Sequence, residues 1–188
     1  MFLGAVNAAL DILPPIVLTA RSQGLQAPAN KEGVVMANDR RSAPAVRVLV
    51  VEDFAPFRQF VCSMLGRRPG FQIVGEVSNG LEAVRIAEAL IPDIILLDLG
   101  LPTLNGMKAA QQIRALSPQS RIIFVTQEAD PDIAQEALNA GAAGYVVKTT
   151  AATDLPAALD AVLHSRQFVS GGLAAYDFSA HAEIVSSD

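Results

Sequence analysis

The chain has a single cysteine, Cys62, and two histidines, His164 and His181. A disulfide framework or a CxxC metal or redox site is therefore excluded within one chain, and a histidine-rich metal centre or Ser-His-Asp triad has little support. Cys62 falls at the spacing of an apolar helix and reads as core packing. His164 reads as a helix end, where a cation suits the dipole. Basic charge is also scarce: the net charge is −5, and residues 46–166 carry ten basic against thirteen acidic side chains. No segment has the basic footprint of a nucleic-acid binder. Long apolar runs are missing too, because the mean hydropathy of +0.35 comes from short runs interrupted by charge. These runs read as buried strands. At 188 residues and 51% hydrophobic content, the chain can build one well-packed core with extensions.

The first residues, MFLGAVNAALDILPPIVLTA, have Asp11 and Pro14-Pro15 inside the apolar run and no basic residue before Arg21. They match neither a signal peptide nor a membrane span. Residues 21–45, rich in Ala, Pro, Asn, Ser and Gly, read as a flexible linker. Met36 opens MANDRRSAPAVRVLVVED, a natural short leader, so residues 1–35 are expected to be dispensable. Residues 1–45 together form the expected N-terminal extension.

From Val46 the pattern becomes regular. Strands are expected at VRVLVV (46–51), FQIVGEV (71–77), DIILLDL (93–99), RIIFVT (121–126) and GYVVK (144–148). Helical spacing follows each: Phe57, Phe60, Val61, Met64 and Leu65; Leu81, Val84, Ala87 and Leu90, ended at Ile91 before Pro92; Met107, Ala110 and Ile113; then residues 132–141. A last helix is expected from an N-cap near Thr153 to about Arg166. Strict alternation implies an α/β fold with a doubly wound five-stranded parallel sheet, and strand orders 2-1-3-4-5 and 3-2-1-4-5 both fit. Either order puts ligands at the carboxyl ends of the strands.

Four strands end in reactive polar groups: Glu52 and Asp53, Asp98, Thr126, and Lys148, one of only three lysines. In the order 2-1-3-4-5 these ends are neighbours, each about 4.8 Å from the next. Three clustered carboxylates repel one another and ask for a cation, and all-oxygen ligation suits Mg²⁺. Between a divalent cation and the Lys148 ammonium, a carboxylate can attack a phosphoryl group, since this transfer needs mainly positioning and charge stabilisation. Asp98, after the central strand, is the natural acceptor.

In order, VLVVED, LLDLGLPTLNG, FVT and AAGYVVK resemble the motifs of the CheY-like receiver domain of two-component response regulators. The resemblance covers residues 46–166 and implies the flavodoxin-like order 2-1-3-4-5. By position it makes Asp98 the phosphoacceptor, Glu52 and Asp53 the acidic pair holding Mg²⁺, and Lys148 the partner of the phosphoryl oxygens. It makes Thr126 the switch hydroxyl and Tyr145 the aromatic that turns inward with it. It also gives the metal the backbone carbonyl of Gly100, two residues beyond the acceptor. The phrasing EVSNGLEAVRIAEALIPDIILLDLGLPTLNG with AGAAGYVVKTT is most similar to the NarL/FixJ subgroup, whose receivers usually precede a helix-turn-helix. Residues 167–188, with no basic residue and three acidic ones, cannot build such a reader and are expected to be a frayed acidic tail. Two positions depart from the common pattern: Gln127 where many receivers have a small residue, and Thr149 where many have proline after the lysine, so no cis peptide is expected there.

The resemblance implies a single-domain, cytoplasmic phosphorylation switch, without turnover as an enzyme and without direct contact with nucleic acid or membrane. Its donor would be a sensor histidine kinase or phosphotransfer protein. A phosphoryl group carries a charge of about −1.5 to −2, enough to bias the surface of helix four, strand five and helix five toward a downstream protein or a homodimer. The alternatives are a DNA-binding regulator acting through a separate output domain, and an aspartyl-phosphate hydrolase. Haloacid dehalogenase-like hydrolases have a second Asp two residues after the nucleophile, where this chain has Gly100.

Overall fold

The computed structural model describes residues 45–173. The expectations for the extension before residue 45, including the start at Met36, and for residues 174–188 lie outside the described residues. Strands β1 (Val46–Val51), β2 (Phe71–Val77), β3 (Ile94–Leu97), β4 (Arg121–Thr126) and β5 (Gly144–Val147) alternate with helices α1 (Ala55–Gly66), α2 (Gly80–Leu90), α3 (Gly106–Leu116), α4 (Pro131–Asn139) and α5 (Ala151–Leu163). A short β6, Phe168–Val169, follows. All pairings are parallel, in the order β2-β1-β3-β4-β5-β6. This is the 2-1-3-4-5 order with a sixth strand at its edge.

Alternate residues of each central strand feed opposite layers. Leu49, Val51, Ile95, Leu97, Phe124 and Tyr145 face the layer shared with α2, α3 and α4. Val48, Val50, Ile94, Leu96, Ile123 and Val146 face the layer shared with α1 and α5. Covered on both sides, β3 and β5 are buried at every residue, which is why their sequences are apolar without alternation.

Three helix starts, those of α2, α3 and α4, follow from side-chain caps. Asn79 Oδ1 accepts from Glu82 N at 2.8 Å, Asn105 Oδ1 from Lys108 N at 2.9 Å, and Asp130 Oδ1 from Asp132 N at 2.8 Å, just before Pro131. The expected stop of α2 is present: Ile91 adopts a left-handed conformation (φ 47°) before Pro92.

Several expectations need correction. The last helix begins at Ala151, so Thr153 lies inside its first turn, and Lys148–Thr150 form a 3-10 turn that leads into it. Leu81 and Phe60, expected on core faces, are exposed. The frayed tail is not seen across residues 167–173: Phe168–Val169 pair with Gly144 and Tyr145, and Leu173 is buried beside the β5 layer. Cys62 does pack against the α1–α5 layer, and burial with help from Glu76 pushes its thiol up to about 11. His164 stands at the C-terminal cap of α5. Among the described residues no peptide bond is cis, Lys148–Thr149 included.

Candidate functional site

The adjacent parallel strands β1, β3, β4 and β5 bring their carboxyl ends to one edge of the sheet. Val51 pairs with Leu97, Leu97 with Phe124, and Thr126 with Val147, so the residues that follow share that edge. Asp98 leaves β3 with its amide still donating to Val51 O at 3.0 Å. Its Oδ1 accepts from Gly100 N at 3.2 Å, which fixes the carboxylate against its own loop. The loop returns tightly enough that Gly106 N donates to Leu99 O at 2.9 Å. A Cβ at Gly106 would stand 2.0 Å from Asp98 O, so only glycine admits α3 this close to the acidic residue.

Lys148 reaches across from the end of β5. Its Nζ donates to Asp98 Oδ2 at 2.8 Å and lies 2.9 and 2.8 Å from Glu52 Oε1 and Oε2. Burial alone would lower the lysine's pKa, but the hydrogen bonds to Asp98 and Glu52 outweigh it, and the ammonium titrates above its ordinary value. Glu52 is also shifted upward, first by burial and then by Asp98, against the opposing pull of Lys148. One ammonium stands among three carboxylates. Phe54 N donates to Glu52 Oε1 at 3.1 Å, and Arg58 holds the Glu52 backbone carbonyl at 2.7 Å.

Ligand atoms of Glu52, Asp53 and Asp98 lie within 4.8 Å of one another, with Asp53 exposed and the other two buried. Three hard oxygen donors this close together suit Mg²⁺, which keeps waters and takes few carboxylates. The donor set thus fits the metal expected from the sequence, since a divalent cation offsets the mutual repulsion of three gathered carboxylates.

Thr126, 2% exposed, ends β4 with its Oγ1 accepting from Glu128 N at 3.2 Å. Tyr145, expected to turn inward with Thr126, is already turned inward: it is wholly buried beside Phe124, and its hydroxyl donates to Glu128 O at 3.0 Å. One backbone unit, Glu128, thereby ties both residues together. No sequence pattern identified Glu128, because it acts through main-chain atoms. Asp53, Asp98, Gly100, Thr126 and Lys148 all line one open cleft of about 690 Å³, whose far wall is formed by Met107, Gln111, Ile133 and Glu136 of α3 and α4. Tyr145 lies behind the cleft rather than on it. Phe57, expected only as part of the core face of α1, lies with its ring centroid 5.0 Å from Lys148 Nζ. Its position four residues after Asp53, on the first turn leaving the same sheet edge, was the available clue.

Comparison with known proteins agrees with this fold. The family model described as "Response regulator receiver domain" matches residues 48–160. The chain belongs to the response regulator receiver family. It is 33% identical over 102 residues to the virulence-factor regulator BvgA of Bordetella pertussis, covering 54% of this chain and 48% of that one. It is 35% identical over 112 residues to the nitrate/nitrite response regulator protein NarL of Escherichia coli K12, covering 60% and 52%. The chain spans about half the length of the curated relatives it matches. A solved LuxR-family two-component response regulator from Aurantimonas sp. SI85-9A1 superposes with a TM-score of 0.67 at 33% identity, covering 70% of this chain and 94% of that structure. Receiver domains are phosphorylated by histidine kinases, so the class of function is phosphorelay signalling, and the relatives are regulators rather than classical enzymes. Among the described residues, no helix is long and apolar enough to cross a membrane.

Proposed function

We propose that this chain is a phosphorylation switch in which Asp98 takes a phosphoryl group from a histidine kinase or phosphotransfer protein. The observation that carries this reading is the Asp98 carboxylate in an open cleft, 2.8 Å from the Lys148 ammonium and clustered with Glu52 and Asp53. A carboxylate oxygen of Asp98 attacks phosphorus, and the P–N bond of the donor phosphohistidine breaks. The imidazole nitrogen keeps the electron pair, and an acyl phosphate forms on Asp98. Attack by water on that phosphorus later releases inorganic phosphate and restores the carboxylate. Mg²⁺, held by Glu52, Asp53, Asp98 and the Gly100 carbonyl, would supply charge neutralisation for the phosphoryl oxygens.

The side chains of the site then have distinct tasks. Lys148 exchanges part of its carboxylate pairing for a phosphoryl oxygen and stabilises the charge that builds there. Thr126 turns its hydroxyl toward the new group and gives up the bond from Glu128 N. Tyr145, anchored on the carbonyl of that same Glu128, follows the loop, so the change reaches the surface of α4, β5 and α5. A downstream protein or a second copy would read that surface in the cytoplasm, with residues 1–45 and 174–188 as extensions. The names of BvgA and of LiaR from Bacillus subtilis, both transcription regulators, favour a second reading, control of transcription through a DNA-binding output; a phosphorylation-dependent gel shift with this chain would support it.

Incubation with Mg²⁺ and a small phosphodonor, followed by intact mass, tests the switch. Wild type should gain one phosphoryl group, and Asp98→Ala and EDTA-treated protein should not. An adduct on Asp98→Ala at wild-type yield would remove Asp98 from its role.

A further inference from the structure

An ammonium has three N–H donors. At Lys148 they face two carboxylates, Glu52 and Asp98, and on another side the ring of Phe57, whose centroid is 5.0 Å from Nζ. Phe57 sits on the first turn of α1, half-buried against the α1–α5 layer, with its ring 5.6 Å from that of Phe60. An aromatic face attracts a cation through its quadrupole yet carries no net charge. A carboxylate in the same place would also hold the lysine, but it would repel an incoming phosphoryl group and compete with it for the ammonium. A ring holds the lysine in place without either effect.

We propose that Phe57 is a positioning residue that keeps the Lys148 ammonium over Asp98 and so sets the affinity of the site for a phosphoryl group. The inference rests on the reading of Asp98 as phosphoacceptor. The aromatic character matters, not only the bulk. A leucine at this position fills the apolar space of the layer but leaves the lysine free to swing away from Asp98, whereas a tyrosine preserves the face.

The test is a double-mutant cycle. Calorimetry measures the affinity of Mg²⁺-loaded protein for beryllofluoride, a phosphoryl analogue, in wild type, Phe57→Leu, Phe57→Tyr, Lys148→Gln and Phe57→Leu/Lys148→Gln, with Asp98→Ala as control. Phe57→Leu should weaken binding about three- to thirtyfold when Lys148 is present, the range of a partly desolvated cation–π contact. It should change binding less than about twofold when Lys148 is glutamine, and Phe57→Tyr should stay near wild type. Equal losses in both backgrounds would make Phe57 a packing residue and overturn the inference. Where Lys148→Gln binds too weakly to compare, proton NMR decides without ligand. The Lys148 side-chain protons next to Nζ should resonate upfield in wild type and Phe57→Tyr and return to ordinary shifts in Phe57→Leu; ordinary shifts in wild type would overturn it. Binding by wild type no tighter than by Asp98→Ala would instead refute the phosphoacceptor reading, and the inference with it.

Discussion

The chemistry at residue scale depends on close approach as much as on charge. Asp98, Glu52 and Lys148 form a partly desolvated cluster, and the backbone around Asp98 is pinned by Gly106, where a methyl group would meet Asp98 O at 2.0 Å and Leu99 Cα at 2.8 Å. Both neighbours are main-chain atoms, so neither can move aside without moving the acidic loop. Gly106→Ala should therefore cost about 1 to 3 kcal/mol, as overpacking does, measured by urea unfolding, and should slow phosphorylation because Asp98 shifts with its loop. Unchanged stability and unchanged phosphorylation would contradict this account of the loop. The gathering of Glu52, Asp98, Thr126 and Lys148 at one edge was legible in the sequence because each stands at or just past the end of a strand, where an apolar run gives way to a polar group. Glu128 was not legible, because its contribution is a main-chain N–H and C=O. Phe57 was placed on the correct helix face but taken for packing alone, since spacing does not say which charged group crosses above a ring.

Among the secondary-structure elements, one departure from expectation is β6. A two-residue strand followed by Gly171-Gly172 offers no period to recognise, and its stability comes from tertiary pairing with the β5 edge. The Ser170 amide donates to Tyr145 O at 2.9 Å, and its buried hydroxyl accepts from Val147 N at 2.9 Å. This last bond supplies the partner that the ladder would otherwise lack just before Lys148, with Leu173 closing the apolar layer beyond it. Ser170→Ala leaves the Val147 N–H unsatisfied and should cost about 1 to 3 kcal/mol. Hydrogen exchange at Val147 should speed up in that variant, and wild-type protection there would show that Ser170 does not support the strand. The start of α5 was also misplaced by its capping signal. Thr150 rather than Thr153 precedes the helix, and its hydroxyl is spent on Asp154 and the Val147 carbonyl. The 3-10 turn that carries Lys148 into the helix explains the shift.

For the molecule as a whole, the alternation of apolar runs and helical spacing specified the layers, the parallel sheet and the edge that holds the site. It could not choose between the two doubly wound orders, because both put helices on both faces. The observed order makes β1, β3, β4 and β5 neighbours and thereby converges the acidic cluster, the hydroxyl and the lysine. That convergence has a thermodynamic consequence. Three carboxylates face one ammonium, and an ion that binds only the folded chain stabilises it by mass action. Mg²⁺ at about a hundred times its dissociation constant should add about 2.7 kcal/mol to the unfolding free energy. Asp53→Ala, at the exposed member of the cluster, should lose most of that increment. An increment of equal size in the variant would place the ion elsewhere.

The central claim is that Asp98 itself carries the phosphoryl group. The direct measurement is to treat the protein with Mg²⁺ and a small phosphodonor, trap any acyl phosphate by borohydride reduction, and sequence the peptides by tandem mass spectrometry. Homoserine is expected at position 98, with Asp53 unmodified. Reduction products at Glu52 or Asp53 with Asp98 intact, or a stable phosphoryl group on a hydroxyl such as Thr126, would contradict it.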